Sequence, residues 1–366
     1  MKKRLAIFMH GGVGGGFYSQ GQPNIAALVN ELAKDHTVTV YSQFRANENF
    51  SSSYHFVSAP KILKIGILRW LWLATAFLFA HIKRKHHVLY AFWAYPAGFW
   101  CVLVARICRV PAIVHLQGGE VVGFPAIQYG GLLQPRSRRL VKWTLQKAST
   151  VIALTRYQKK FAEEIVSRSY HVIPFGVDAN QFCFHTKQFH QPLRCLHVGS
   201  FIPVKDQSTL LKCFAQLSQQ IPAVLQLVGE GYLESDLKLE CKSLNIHSLV
   251  TFSGFNPHIN IQKFYEWADV LIHTSLYEGQ CLAVTEAAAS GVLIAGTNVG
   301  LISDLGSDCC VVAETGEADE LARAIIAVVQ NPEERSTKIE NARKWSEANS
   351  FRKSYQQIRQ VIDHFW

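Results

Sequence analysis

The sequence predicts an α/β protein with two domains, each built on an open parallel sheet. Short apolar stretches of strand length alternate with helix-length segments along the chain, which is the pattern of parallel strands joined by helical crossovers. The pattern breaks in the polar stretch 178–192 and restarts at residue 193. A chain of 366 residues also fits two domains of about 150 to 200 residues each. We therefore expect one domain at residues 1–185 and a second at residues 186–349.

The first domain is predicted to contain six strands, the first of which follows a basic N-terminus. The apolar part of that N-terminus is too short for a signal peptide. Helices are expected at about Asn24 to Lys34, near 65–84 and from about Ala97. The six strands are R-L-A-I-F-M from residue 4, T-V-T-V-Y-S from 37, V-L-Y-A-F-W from 88, A-I-V-H-L from 112, T-V-I-A-L from 150 and H-V-I-P from 171.

The second domain is predicted to contain five strands with helices between them. The C-terminal segment, from about Glu333 to Trp366, has a helical pattern with an apolar stripe that must be buried. The stripe consists of Phe351, Tyr355, Ile358, Ile362 and Phe365. The five strands are L-R-C-L-H-V-G from 193, V-L-Q-L-V-G from 224, L-V-T-F-S-G from 249, D-V-L-I-H-T from 269 and V-L-I-A-G from 292.

Charge is divided unevenly between the two halves. Residues 1–185 contain 22 Lys and Arg against 7 Asp and Glu, whereas residues 186–366 contain 15 against 20. A basic first half indicates an anionic partner, such as a membrane surface or a phosphorylated substrate. The alternative is a solvated basic surface that binds nothing. Nucleic acid is not among the predicted partners.

Segment 65–82 is the one stretch of the chain that resembles a membrane helix. Arg69 interrupts it and leaves 13 uncharged residues, whereas a spanning helix needs about 20, so we expect no transmembrane span. Basic residues bracket its aromatic side chains across 61–85, which favours peripheral contact with an anionic leaflet. A buried core helix is the alternative. The basic residues are Lys61, Lys64, Arg69, Lys83, Arg84 and Lys85.

The nine cysteines are scattered and form no C-x-x-C pair. Neither a disulfide framework nor a structural zinc site is indicated, and a reducing cytoplasm fits best.

A glycine run, G-G-V-G-G-G at residues 11–16, follows the first strand and precedes a helix, where backbone N–H groups can approach a phosphate. Its spacing does not satisfy G-x-G-x-x-G, and no lysine completes a P-loop. The second strand also ends without the acid of a dinucleotide site. A phosphate contact and a plain flexible turn remain equally open at this point.

Three charged residues follow strands of the second domain, where open α/β sheets bind ligands. Lys205 can pair with a diphosphate or be a solvated lysine. Glu278 precedes a predicted helix, whose first turn offers N–H groups to an anion, and Glu286 lies inside that helix. The two carboxylates can accept hydrogen bonds from the hydroxyls of a sugar and of a ribose. The alternative is a surface helix with two incidental acids.

Taken together, these motifs resemble those of retaining glycosyltransferases with the GT-B fold, in glycosyltransferase family 4 (group 1). The resemblance covers nearly the whole chain. It implies two Rossmann-like domains facing each other across a cleft and a C-terminal helix, about 350–366, that crosses back to the first domain. The motifs are Glu278 and Glu286 of an E-x7-E pattern, G-E-G-Y at 229–232, A-D-V-L-I-H-T-S at 268–275, V-I-P-F-G-V-D at 172–178, V-G-S-F-I-P-V-K-D at 198–206 and the glycine loop.

The resemblance also implies roles for individual residues. Lys205 would contact the donor diphosphate, Glu278 the transferred sugar and Glu286 the nucleotide ribose. Backbone amides of residues 279–282 would support the sugar and phosphate, and the glycine loop would approach the diphosphate from the first domain. The donor-binding candidates beside these three are Gly14, Gly15, Gly16, Ser200, Gly229, Gly279, Gln280, Cys281 and Leu282.

Two positions depart from the family pattern. Ser200 stands where members often carry an Arg, so phosphate neutralisation would depend more on Lys205. Gln117 and Glu120 stand where many members have a His and an Asp, and Gln cannot exchange a proton near neutral pH. His115 is a substitute candidate for a catalytic base beside Gln117, although a packed strand histidine is an equally good interpretation.

The predicted function is metal-independent, hexosyltransferase-like sugar transfer by a cytoplasmic enzyme, in the synthesis of cell-surface polysaccharide or glycolipid. The absence of any D-x-D sequence predicts no metal site. The donor is expected to be a UDP- or GDP-sugar, which is a substrate and not a cofactor, and the acceptor a glycan or a lipid-linked hydroxyl. The alternatives are a nucleotide-sugar epimerase of the same fold and a catalytically impaired glycan- or nucleotide-binding protein.

Overall fold

The computed structural model describes residues 2–14, 22–46, 51–186 and 188–366. It divides into two compact units, one formed by residues 1–174 with 354–366 and the other by residues 175–353.

The first unit is built on a parallel sheet. Its seven described strands have the order β3-β2-β1-β4-β5-β6-β7, and every neighbouring pair is parallel. The strands β1, β4 and β5 are wholly or almost wholly buried, so the centre of this sheet is the core of the unit. The strands are β1 (Arg4–Met9), β2 (Thr37–Ser42), β3 (His55–Ser58), β4 (Val88–Phe92), β5 (Ala112–His115), β6 (Thr150–Ala153) and β7 (His171–Val172).

Helices cross over between the strands of the first unit. Three of them begin where the sequence provides a start signal: Pro23 and Pro135 occupy first-turn positions, and the hydroxyl of Thr155 accepts a hydrogen bond from the N–H of Gln158. The helices are α1 (Pro23–Asp35), α2 (Gly66–Lys83), α3 (Phe99–Cys108), α4 (Pro135–Lys147) and α5 (Arg156–Ile165).

The second unit is built on a parallel sheet of six described strands in the order β10-β9-β8-β11-β12-β13. The strands are β8 (Leu193–Val198), β9 (Ala223–Val228), β10 (Val250–Phe252), β11 (Val270–His273), β12 (Leu293–Thr297) and β13 (Cys310–Ala313). The helices are α6 (Gln207–Gln220), α7 (Glu234–Ser243), α8 (Gln262–Trp267), α9 (Leu282–Ser290), α10 (Gly300–Leu305), α11 (Ala318–Gln330) and α12 (Pro332–Ala348).

The C-terminal helix α13 (Phe351–Asp363) belongs to the first unit from Ser354 onward. Ile358 and Ile362 of the predicted stripe are fully buried. The Ser354 hydroxyl donates to the carbonyl of Pro174 at 2.6 Å, and the Arg359 guanidinium pairs with Asp35 at 2.7 Å. The predicted return of this helix to the first domain is confirmed.

The sequence analysis placed the division between the domains after residue 185, whereas the first unit ends at Pro174. Residues 175–185 pack with the second unit. The side chains of Val177 and Phe182 are buried among Leu196, Tyr265 and other core residues of that unit. Apolar residues in a stretch that is otherwise polar therefore set this boundary.

Two strands were not predicted, β3 and β13, and both lie at an edge of their sheet. The C-terminal segment predicted as one helical stretch is divided into α12 and α13 by Asn349 and Ser350. No helix within the described ranges is long and apolar enough to cross a membrane.

Candidate functional site

Polar side chains converge at the carboxyl edge of the second sheet, where neighbouring parallel strands β8 and β11 end. Such an edge is where open α/β sheets bind ligands. Lys205 follows β8 in a short helical turn, Pro203–Lys205, and Glu278 lies between β11 and the start of α9. The fold therefore brings together two residues that are 73 positions apart in the sequence.

Lys205 and Glu278 form a largely buried ion pair. The Nζ atom of Lys205 lies 2.5 Å from Oε1 of Glu278, and their side chains are 19% and 13% exposed. Burial alone would raise the pKa of the Glu278 carboxyl, but Lys205 and His273 outweigh burial and hold this pKa far below its ordinary value. Glu278 is thus ionised at neutral pH.

Two further groups donate to the same oxygen. Oε1 of Glu278 lies 3.0 Å from Nε2 of His273 and 2.7 Å from Oγ of Ser275. The His273 side chain is only 1% exposed, and its Nδ1 faces the Cys281 sulfur at 3.7 Å. Burial lowers the pKa of His273, but Cys281 and Glu278 outweigh burial and raise it to about 9.

A second histidine lies beside the first. The rings of His197 and His273 stack with centroids 5.7 Å apart. Nδ1 of His197 lies 3.0 Å from the carbonyl of Ile272, and its Nε2 lies 3.3 Å from the Gln207 amide nitrogen. Burial lowers the pKa of His197 to about 3, so this ring is neutral.

Helix α9 starts at Leu282, four residues after Glu278. Its N-cap residue, Cys281, has a φ of 81°, a left-handed conformation that is rare for a side chain of this size. The Gln280 amide is buried and bridges the N–H and carbonyl of Phe175 at 2.8 and 2.7 Å. Gly300 makes room for the turn, because a Cβ there would lie 2.6 Å from the Glu278 Cβ. Contacts with Phe175 and close packing against Gly300 therefore support the backbone conformation of residues 279–282.

Glu286 is buried in α9 with two partners. Its Oε1 lies 2.8 Å from Nε2 of His258, and its Oε2 accepts a hydrogen bond of 2.6 Å from the Tyr265 hydroxyl. The His258 side chain is 32% exposed, whereas that of Glu286 is 5% exposed. His258 is therefore the more accessible of the two partners of Glu286, since Tyr265 is fully buried.

The glycines of the G-E-G-Y turn are required by close packing. A Cβ on Gly229, which has a φ of 144°, would lie 2.0 Å from the carbonyl oxygen of Gly199, and one on Gly231 would lie 2.3 Å from that of Phe201. These contacts support the loop that carries Ser200, whose carbonyl accepts a hydrogen bond of 2.9 Å from Gln207.

In the first unit, the structure corrects the assignment of His115 as a base candidate. His115 is fully buried in β5, its Nδ1 lies 2.6 Å from the Tyr90 hydroxyl, and burial lowers its pKa to about 3. The Glu120 carboxylate is also buried and accepts hydrogen bonds from the N–H groups of Gln117 and Gly118, both at 2.7 Å. His115 therefore has the surroundings of a packed strand histidine, which was the alternative that the sequence analysis left open.

The first unit also contains two other predicted parts of the site, Gln117 and the glycine loop. The Gln117 amide nitrogen lies 2.9 Å from the carbonyl of Leu116, so this side chain folds back on its own backbone. Gly14 has a φ of 57°, which favours glycine. Gly15 and Gly16 lie outside the described residues.

One described group of side chains has the composition of a metal site. Single ligand atoms of His273, Glu278 and Cys281 lie within 4.8 Å of one another. The Lys205 ammonium, however, already occupies the cationic position beside Glu278. The prediction that no metal takes part in the reaction stays a prediction.

The sequence analysis missed several residues of this site. His273 and Ser275 lie within a quoted motif, but an apolar strand gave no reason to single them out. His258 and Tyr265 lie 28 and 21 positions from Glu286, and no sequence pattern links them to it.

Comparison with known families decides the class of the protein. The model described as Glycosyltransferase Family 4 matches residues 24–181, and the model described as Glycosyl transferases group 1 matches residues 182–345. The chain belongs to the group 1 glycosyltransferases. The predicted family is therefore confirmed.

The relatives of this glycosyltransferase have low sequence identity to it, but the matches cover most of the chain. The N-acetyl-alpha-D-glucosaminyl L-malate synthase of Bacillus anthracis is 22% identical over 342 residues, 87% of each chain. The alpha-monoglucosyldiacylglycerol synthase of Streptococcus pneumoniae is 23% identical over 333 residues, 85% of this chain and 75% of the relative. The solved structure of Anabaena HepE in complex with UDP-glucose matches 100% of both chains with a TM-score of 0.77 and 18% identity. The GT-B fold is thereby confirmed.

Proposed function

We propose that this glycosyltransferase moves a sugar from a UDP- or GDP-sugar to a hydroxyl of a glycan or lipid-linked acceptor, with retention of the anomeric configuration. The observation that carries the proposal is the buried Lys205–Glu278 pair at the start of α9. The names of the relatives support it, since they include a synthase of a glycolipid and a protein solved with UDP-glucose.

The pair supplies the two kinds of contact that an activated sugar needs. The Lys205 ammonium can bind the diphosphate, where one charge pair at about 4 Å contributes roughly 4 kcal/mol at an effective dielectric of about 20, before desolvation is counted. The ionised Glu278 carboxylate can accept hydrogen bonds from sugar hydroxyls. Backbone N–H groups at the start of α9 add positive partial charge as the diphosphate departs.

The reaction proposed here breaks the bond between the anomeric carbon and the diphosphate oxygen and forms a bond to the acceptor oxygen. The acceptor hydroxyl loses a proton in this step. Because His115 is buried and Gln117 is an amide, we assign that proton to the departing phosphate oxygen. No metal ion or separate cofactor is part of the proposal.

The alternatives are not favoured. The described relatives are named as synthases, and the family is one of transferases. An epimerase would form product without an acceptor, and an impaired protein would bind donor without turnover.

Thermal stability in the presence of UDP, GDP, ADP and their glucose or mannose conjugates tests the proposal, because a ligand that binds only the folded state raises the melting temperature. We expect stabilisation by one nucleotide series and release of its diphosphate only when an acceptor is added. The proposal is overturned if neither the UDP series nor the GDP series stabilises the protein.

We also propose that α2 rests on an anionic membrane surface on the cytoplasmic side, where it would bring the enzyme to a lipid-linked acceptor. The inner face of this helix packs in the unit through Trp70, Leu73 and Phe77. Its outer face is apolar too, since Leu68, Leu71, Phe79 and Ile82 are 41%, 45%, 67% and 79% exposed.

The charges around this outer face match an anionic leaflet. Residues 49–119 contain no Asp or Glu. Exposed cations stand at both ends of the helix, and charges of this kind contribute about 1 kcal/mol each near an anionic surface. They are Lys61, Lys64, Lys83, Arg84 and Lys85.

Co-sedimentation with vesicles tests the membrane proposal. We expect binding to an equimolar mixture of phosphatidylglycerol and phosphatidylcholine at low salt, and weaker binding at high salt or to phosphatidylcholine alone. The double variant F79S/I82S should lose binding. The control L239S, which alters an exposed Leu of the second unit, should keep it. Equal binding by all three proteins contradicts the proposal.

A further inference from the structure

His273 and Lys205 hold the same oxygen of Glu278 in different ways. Lys205 lies in a turn that follows β8, and its ammonium group is at the end of a flexible side chain. His273 lies on β11, is almost fully buried and is packed against the ring of His197. One partner of the carboxylate can therefore move toward a ligand, and the other cannot.

The hydrogen-bond partners of His273 show that its Nε2 atom carries a proton. The Ser275 hydroxyl has a single proton, and it must donate this proton to the ionised Glu278 at 2.7 Å. The contact of 2.8 Å between Ser275 and Nε2 of His273 is then a hydrogen bond that Nε2–H donates. The contact of Nε2 with Glu278 at 3.0 Å requires the same proton. Nε2 thus carries a proton directed at Glu278 and Ser275.

The geometry points to His273 as the positioning residue that keeps Glu278 ionised and in place when Lys205 turns to the donor diphosphate. This inference rests on the proposed function, because it assigns a step to donor binding at the same site.

Without a second cation beside it, Glu278 would become protonated when the donor binds. If Lys205 transferred its hydrogen bonds to phosphate, a buried carboxylate with no cation would take up a proton and lose the ability to accept sugar hydroxyls. An imidazolium at residue 273 prevents this. Its state is supported by the raised pKa of His273, which the facing Glu278 and Cys281 cause against the effect of burial.

The positive charges beside Glu278 come from two side chains. Lys205 forms an ion pair with the carboxylate, and His273, whose pKa is raised to about 9, is the second cationic partner. His197 adds no charge, because burial lowers its pKa to about 3. A donor phosphate that drew Lys205 away would therefore leave Glu278 paired with His273.

Nitrogen-15 NMR of the histidine-labelled protein tests the charge of His273 without any substrate. We expect one buried imidazole with both nitrogens protonated at pH 7.5, assigned by its absence from H273Q, that loses its proton near pH 9. A neutral His273 at pH 7.5 overturns the inference, even if the protein is shown to be a transferase.

Calorimetry tests the role in donor binding. Binding of UDP-glucose, or of GDP-mannose if only the guanine series binds, is measured in two buffers of different ionisation enthalpy at pH 7.5, which gives the protons taken up. The wild type and the control H247Q, an exposed histidine of the same unit, should take up none. H273Q should bind at least 10-fold more weakly and take up about one proton as Glu278 is neutralised.

The outcomes of the two experiments separate the proposals. If neither sugar nucleotide binds the wild type, the proposed function is contradicted and the NMR result alone decides the charge of His273. If H273Q binds with wild-type affinity and without proton uptake, the positioning role is wrong and the proposed function stands. A thermal melt of H273Q shows whether the variant is folded at the temperature of the titration, and its melting temperature should lie below that of H247Q because the stability contributed by His273 is lost.

Discussion

The ammonium of Lys205 lies 2.5 Å from the carboxylate of Glu278. The two residues lie at the ends of neighbouring strands, and their charges neutralise each other inside a largely buried site. Under the proposed function, the donor diphosphate would compete with Glu278 for Lys205, so donor binding and the stability of this pair would depend on the same contact.

Replacing Lys205 by Ala should lower turnover by roughly 100-fold or more, because it removes the side-chain cation that meets the departing diphosphate. The fold should remain, since His273 and Ser275 still hold Glu278. Release of nucleoside diphosphate measures the effect, and K212A, an exposed lysine on α6, is the matched control. Turnover of K205A within a factor of about two of K212A would show that the diphosphate does not depend on Lys205.

Replacing Glu286 by Gln should remove discrimination between ribose and deoxyribose nucleotides. In the wild type we expect UDP, or GDP if the guanine series binds, to bind about 10-fold more tightly than its 2′,3′-dideoxy form, because hydrogen bonds to a charged acceptor are strong. Titration calorimetry on E286Q should find nearly equal affinities. The control E266Q, an exposed acid on α8, should discriminate as the wild type does. A preserved preference in E286Q would rule out the ribose contact.

Stability should fall as the pH rises from 6.5 to 9. The pKa of His273 is raised from its ordinary 6.5 to about 9, so its contribution is fully present below pH 6.5 and is lost as the pH rises through 9. Each pKa unit corresponds to about 1.4 kcal/mol, so the loss amounts to roughly 3 kcal/mol of unfolding free energy. Urea unfolding at several pH values measures it. H273Q should lack most of this slope, and an equal slope in H273Q would contradict the assignment.

Below pH 6.5 the stability should fall for another reason. Burial lowers the pKa values of His115 and His197 to about 3, so both rings stay neutral in the folded protein while the unfolded chain binds protons. The stability these rings contribute is present above pH 6.5 and is lost as the pH falls toward 3. Urea unfolding of H115N should show a shallower acid slope than the wild type. An unchanged slope would mean that His115 is not neutral and buried.

Replacing Gly229 by Ala should weaken both the fold and donor binding. The new Cβ would lie 2.0 Å from the carbonyl of Gly199 and would displace the loop before Ser200. G254A is the control, because Gly254 also has a positive φ but no atom within 4 Å of an added Cβ. Left-handed strain alone costs about 1 kcal/mol. Thermal melts should show a larger loss for G229A, and equal losses would mean that close packing is not the reason for this glycine.

Much of this architecture could be predicted from the sequence. The strands β1 and β2 begin and end where their apolar runs do, since alternation with helical segments marks each element clearly. The strands β3 and β13 were missed because both lie at sheet edges, and H-F-V-S and C-V-V-A are short and less distinctive. The C-terminal helix was found because its apolar stripe had to pack somewhere.

The site was predictable only in part. Lys205 and Glu278 were identified because charged residues just after strands meet at the carboxyl edge of a parallel sheet. Their contact with His273 was not, since a histidine in an apolar strand is more often a packed residue, as His115 is. Contacts between residues distant in sequence, such as Tyr265 with Glu286, depend on the fold and leave no local pattern.

A crystal structure of the protein with the sugar nucleotide that stabilises it most tests the central claim most directly. We expect the diphosphate within hydrogen-bonding distance of the Lys205 ammonium, sugar hydroxyls on the Glu278 carboxylate, and His273 still in contact with Glu278. A donor bound elsewhere, with the Lys205–Glu278 pair unchanged, would contradict the account.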